Sequence, residues 1–126
     1  MKYLVAASLV VAGLIHLPPL SGVLGADRLV ALYGIVVDDP NLAILMRHRA
    51  VLLALVGAFL LVAAFVPVLQ LAAFLVGFAS VLSFLWLAWS SGGYNAAVTR
   101  VVAADVVALV SLVIGAVALA WLHARR

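Results

Sequence analysis

The sequence predicts an all-α, polytopic membrane protein: an antiparallel bundle of four transmembrane helices with a short interfacial helix between the first and the second. Three observations carry this expectation. Of the 126 residues, 70% are hydrophobic and 9% charged, against ~45–50% and ~25% in an ordinary soluble domain, and a water-soluble fold of this size leaves too much of its area exposed to hide so much apolar surface. The apolar residues fall into four long runs separated by Pro, Gly, Asp and Asn. Finally, Arg47-His48-Arg49 share one helical turn and no charge follows as far as Val66. That is the pattern of a helix whose basic turn sits at a water boundary and whose remainder lies in lipid.

The four spans form a single domain over residues 1–126. The first, residues 2–17, ends before Pro18-Pro19 because proline cannot continue the helical hydrogen-bond ladder. A lysine ahead of an apolar run also opens a signal peptide, but three more hydrophobic runs follow and no A-x-A site precedes Asp27, so an uncleaved span is expected. Residues 20–39 form the longest connection. There Ser21-Gly22 and Gly34 bracket a helix too short to span, apolar at Leu24, Leu29, Leu32 and Tyr33 and wet at Asp27 and Arg28, which suits the membrane interface.

Asp39-Pro40 pairs an N-cap acceptor with proline at the first helical position. It starts a span over 40–66 that Pro67 breaks. The uncharged connection from Phe65 to Gln70 predicts a tight hairpin into the third span, 68–89, with Trp86 and Trp89 as interfacial anchors. After the turn Ser90–Asn95, with Asn95 as N-cap, the fourth span covers 95–123 and Arg125-Arg126 follow.

In lipid, small residues mark the surfaces that pack closely. They recur at Ser8 and Ala12, one turn before His16; at Ala50, Ala54, Gly57 and Ala64, one turn after Arg47; at Gly77 and Ser80; and at Ala104, Ala108, Ser111, Gly115 and Ala118, one turn after Arg100. Three of these seams arrive at an ionisable residue, and alternating helix direction gathers them on one membrane side. The candidate polar cluster there is His16, Arg47, His48, Trp86, Tyr94, Asn95, Arg100 and Asp105.

Asp105 lies five residues past Arg100, roughly 7.5 Å deeper at ~1.5 Å per residue. A carboxylate there is protonated or paired, and Arg47 is the expected partner, either as a pin between helices or as part of a working site. His16 is open to three roles: a packing residue bonded to a carbonyl, a proton carrier, or a ligand with His48 and Asp105. No His-x-x-x-His or comparable spacing occurs within any helix, so no metal site is predicted. Arg49 shares a face with Leu53, Val56 and Leu60 and is expected to face lipid and snorkel to phosphate. Asp39 is explained by capping and Asp38 by solvation. Tyr94, Asn95 and Thr99 either contact a polar headgroup or cap the last helix.

Other classes fall away. The absence of cysteine excludes disulfides and thiol chemistry. The net charge of +3 comes from basic residues at helix ends, with no dense stripe, so no nucleic-acid partner is expected. No catalytic triad, P-loop or dinucleotide fingerprint is present.

Nearly the whole chain resembles the small, uncharacterised DoxX-like four-helix bacterial membrane proteins. The residues that carry the resemblance are Ala12–Pro19, Leu32-Tyr33-Gly34, Arg47-His48-Arg49-Ala50 with Gly57, and Trp86 to Asp105. It implies a bacterial inner-membrane location and the four-helix fold, and it names no activity and no cofactor. Sequences of this kind are sometimes labelled phosphopantetheine adenylyltransferase, a soluble α/β nucleotide-binding enzyme with a T/H-x-G-H motif; this chain has neither.

Lys2, Arg125 and Arg126 on one side balance Arg28, Arg47, Arg49 and Arg100 on the other. Because the second group is mixed with all four aspartates, both termini are expected to be cytoplasmic. Three functions fit. One is a binding protein whose polar end holds an amphiphile, a lipid headgroup or quinone, or a partner membrane subunit, alone or as a homo-oligomer. Another is a small proton- or ion-coupled transporter acting as an oligomer. The third is a membrane enzyme using His16 and Asp105 as acid and base on a lipid-soluble substrate.

Overall fold

Five α-helices and two 3-10 turns account for nearly all of the chain: α1 (Lys2–His16), a turn Pro18–Leu24, α2 (Ala26–Tyr33), α3 (Pro40–Phe65), a turn Pro67–Leu69, α4 (Gln70–Ser91) and α5 (Ala96–Ala124). The structure, a computed structural model, describes residues 1–126 apart from the side chain of Ala26. Four segments, Lys2–Leu24, Pro40–Phe65, Pro67–Ser91 and Ala96–Ala124, are long and apolar enough to cross a membrane, the make-up of a multi-pass membrane protein. The 15 residues of α1 reach only about 22 Å, short of a hydrocarbon core of ~30 Å. The 3-10 turn that follows lengthens this segment to 23 residues.

Local chemistry sets the boundaries. Pro18 and Pro19 have no N–H to donate, and the chain tightens into the 3-10 turn there, with the Ser21 hydroxyl donating to the Pro18 carbonyl (3.1 Å). Asp39 caps α3, its Oδ1 accepting from Asn41 N–H at 2.8 Å, and Asn95 caps α5 in the same way through Val98 N–H. Pro67 ends α3 after Phe65. One boundary departs from the sequence reading by more than two residues: α2 begins at Ala26 rather than near Ser21-Gly22, because the preceding residues are spent in the 3-10 turn and Gly25 (φ 140°) redirects the chain. Leu24 therefore falls outside the helix and is 74% exposed, while Leu29 and Tyr33, read as part of a face turned to the membrane interface, are buried within the protein. Gly34 ends α2 in the left-handed region (φ 66°).

The core joins Val5, Leu9 and Ala12 of α1 to Leu60, Ala63 and Ala64 of α3, Ala73, Phe74 and Val81 of α4, and Ala108, Leu112 and Ala118 of α5. Helix α1 packs mainly on α3 and α5, and α4 closes the group against α5 and α3. Small residues permit the close approach. A Cβ on Gly13 would meet the Gly57 carbonyl at 3.0 Å, and one on Gly57 would meet the Gly13 carbonyl at 2.9 Å, so α1 and α3 touch backbone to backbone. Between α1 and α5, Ser111 Oγ donates to the Ser8 carbonyl at 3.2 Å. The outward faces are apolar, with Phe65, Val68, Leu75 and Val117 each at least 65% exposed. In water such a surface would be an aggregation liability.

Helix α2 packs separately. Leu29, Tyr33 and Val37 form a second buried cluster with Met46 of α3 and with Val98 and Val101 of α5. The Asn95 Nδ2 group donates to the Tyr33 carbonyl at 2.8 Å, tying the end of α2 to the start of α5. This holds α2 across one end of the helix group, over a cavity.

Candidate functional site

That cavity encloses about 510 Å³ and is partly open, within the roughly 300–1,000 Å³ of small-molecule pockets. Its walls come from every helix. Leu14, Ile15 and His16 belong to α1, Leu32 and Tyr33 to α2, Arg49 and Leu53 to α3, Ser80 and Phe84 to α4, and Ala97, Arg100, Val101, Ala104 and Asp105 to α5. Most of the lining is apolar, and the polar groups within it converge from five separate elements.

His16 is the deepest of them, only 4% exposed. Its Nδ1 lies 2.7 Å from the Ala12 carbonyl, which can only accept, so Nδ1 carries a proton. In the neutral ring Nε2 is then an acceptor, and the Ser80 hydroxyl 2.9 Å away donates to it. Both ring nitrogens are thereby satisfied, and the imidazole is fixed by one bond within its own helix and one across to α4. Ser80 completes that link because it sits one turn beyond Gly77, on the face of α4 that packs inward.

Arg49 supplies the α3 cation. Its Nη1 donates to the Tyr33 hydroxyl, and its guanidinium lies over the rings of Tyr33 (5.2 Å) and Phe84 (5.7 Å). The side chain expected to face lipid thus turns inward, and Leu60, assigned to the same lipid face, is fully buried. The reason is that α3 is apolar on all sides after its first turns. Its sequence carries no contrast that separates a packed face from a lipid-facing one. Arg47, the expected partner of Asp105, points elsewhere: its Nε donates to the Val23 carbonyl at 2.9 Å and so pins the 3-10 turn to α3. The pairing fails by angle, since Arg47 and Arg49 lie two residues apart, about 200° around a helix.

Asp105 is half-buried in the cavity wall, with His16 and Arg49 as the basic groups near enough to act on it electrostatically. Arg100, one turn earlier and exposed, stands at the rim. Of the eight residues expected to cluster, the structure brings His16, Arg100 and Asp105 into the cavity. His48 is exposed on α3. Trp86 and Tyr94 are 63% and 43% exposed, and Trp86 packs on Trp89 with ring centroids 5.5 Å apart. Asn95 acts behind the cavity wall as cap and strap.

Arg49, Tyr33 and Ser80 are the contributors that sequence reasoning placed elsewhere. The signal for Ser80 was present, because a hydroxyl on a small-residue packing face needs a partner. No comparable signal marked Arg49. Among the described residues no group of three His or Asp side chains is arranged to hold a metal ion. Compared with protein-family models, curated proteins and solved structures, the chain matches none.

Proposed function

We propose that this is an integral membrane protein of a bacterial inner membrane that binds an amphiphile in the cavity beneath α2. On this reading the four long helices cross the bilayer in alternating directions with both termini cytoplasmic, and α2 lies along the opposite interface. The observation that carries it is the composition of the cavity. An apolar space of about 510 Å³ has His16, Ser80, Arg49, Arg100 and Asp105 in its walls, which matches a ligand with one apolar and one polar part. A second space of about 360 Å³, lined by Val11, Val106, Val107, Val110, Ser111 and Ile114, presents no ionisable group. The experiment is purification in a mild detergent followed by native mass spectrometry. A bound amphiphile should be retained by the intact protein and lost from a Leu53→Trp variant that fills the cavity. Identical adducts on both proteins would defeat the proposal.

A second reading rests on one contact. A serine hydroxyl 2.9 Å from a histidine Nε2, whose Nδ1–H is oriented by a carbonyl, is a nucleophile, base and orienter in series. It would make the protein a lipid-ester hydrolase. A fluorophosphonate probe that labels Ser80 in the native chain and fails on His16→Gln would support this, and the absence of label on the native chain would remove it.

A further inference from the structure

We infer that the cavity selects an acidic amphiphile, one whose headgroup is an anionic oxygen group, carboxylate or phosphate, on an acyl chain. This rests on the amphiphile-binding reading and specifies its ligand. The first argument is charge. Two guanidinium groups, Arg49 and Arg100, line the cavity against a single carboxylate, Asp105. Arginine stays protonated in proteins, and His16 adds no negative charge in any state. The walls therefore carry an excess of positive charge even with Asp105 ionised, and a larger excess with it protonated. Within the half-buried part Arg49 and Asp105 offset one another, and the excess resides at Arg100, exposed at the rim, where it draws an anionic headgroup to the mouth of the cavity. A cationic headgroup would increase the imbalance, and an uncharged one such as a quinone would leave it uncorrected.

The second argument is the way Arg49 is held. Tyr33 and Phe84 flank its guanidinium and the Tyr33 hydroxyl takes one N–H, so the group is oriented before any ligand arrives. A guanidinium has five N–H donors in a planar fork that matches carboxylate and phosphate oxygens. The remaining donors are free of that bond to Tyr33. Arg100 at the rim offers a second, solvent-exposed fork. Leu14, Ile15, Leu53 and Val101 supply the apolar wall for the chain, so headgroup and tail are recognised by different parts of one space.

The test uses the full chain in phosphatidylcholine nanodiscs. Photoreactive palmitic acid is compared with its methyl ester, and photoreactive phosphatidylglycerol with the matching diacylglycerol, with crosslinks mapped by mass spectrometry. At least one acidic probe should label the cavity walls saturably at about tenfold lower concentration than its uncharged counterpart, the scale of one charge-assisted contact. Arg49→Gln and Arg100→Gln should each erase most of that preference. Asp105→Asn, which removes the only carboxylate of the lining, should strengthen acidic labelling by about threefold or more, a gain that misfolding cannot produce. If the uncharged probes label the cavity as well as the acids do, the headgroup assignment is wrong and the amphiphile reading stands. If no probe labels it saturably, both fail. Displacement of the acidic probe by millimolar inorganic phosphate would also overturn the assignment, because the occupant would then be a free anion.

Discussion

His16 and Ser80 illustrate how much one polar pair constrains an apolar bundle. The imidazole has two nitrogens to satisfy, and in a helix surrounded by hydrocarbon only a backbone carbonyl one turn back and a hydroxyl from the neighbouring helix are within reach. Ser80→Ala removes the donor and leaves Nε2 unpartnered. The expected loss is about 1 kcal/mol, since interhelical hydrogen bonds in membranes average below that value while an orphaned buried acceptor costs more. Thermal unfolding in detergent measures it, and Ser80→Thr, which keeps a hydroxyl, should lie close to the native Tm. Equal Tm values for Ser80→Ala and the native chain would show that the pair contributes nothing.

At the scale of elements, α2 is the one whose placement depends on another element's cap. Asn95 uses its oxygen to cap α5 through Val98 N–H and its amide nitrogen to hold the Tyr33 carbonyl. These two roles separate chemically. Asn95→Asp keeps the capping acceptor and gains a favourable charge at the helix N-terminus, but it has no N–H to donate. Hydrogen exchange should therefore rise across residues 26–34 in Asn95→Asp while the first turn of α5 stays protected, and it should rise at both places in Asn95→Ala. Gly34 is part of the same joint, because at φ 66° a Cβ would be strained and would meet Asn95 Nδ2 at 2.8 Å. Gly34→Ala should loosen α2 at a cost of about 1–3 kcal/mol.

Across the whole molecule, stability depends on how closely α1 approaches α3 and α5. A Cβ on Gly115 would sit 1.8 Å from Ser8 Oγ, 2.7 Å from Ser8 Cβ and 2.8 Å from Phe74 Cζ. Gly115→Ala therefore forces α1 and α5 apart, with an expected cost of about 1–3 kcal/mol or more. The paired change Ser8→Gly with Gly115→Ala should recover part of it, the signature of two contacting sites. Topology is testable on the same scale because the native chain has no cysteine. Single cysteines at Asp38 and Tyr94 should label together from one side of the membrane and one at Arg126 from the other; labelling of all three from the same side would refute the alternating arrangement.

Composition and local chemistry were enough to read the number of helices long and apolar enough to span a membrane and most of their ends. Hydrophobic run length is a property of composition, and Pro18, Asp39-Pro40, Pro67 and Asn95 act on their immediate neighbours, so those boundaries needed no tertiary information. The sequence also marked the seams, since Ser8, Ala12, Gly57, Ala108 and Gly115 are all buried where small residues pointed. Tertiary structure alone decided which arginine faces the cavity, that Leu24 stays outside α2, and that Ser80 meets His16. The place of Leu24 follows from the 3-10 turn ahead of Gly25, and the other two outcomes depend on the rotation of each helix about its axis. In helices apolar on every side, that rotation is set by packing against neighbours rather than by any contrast written along the chain.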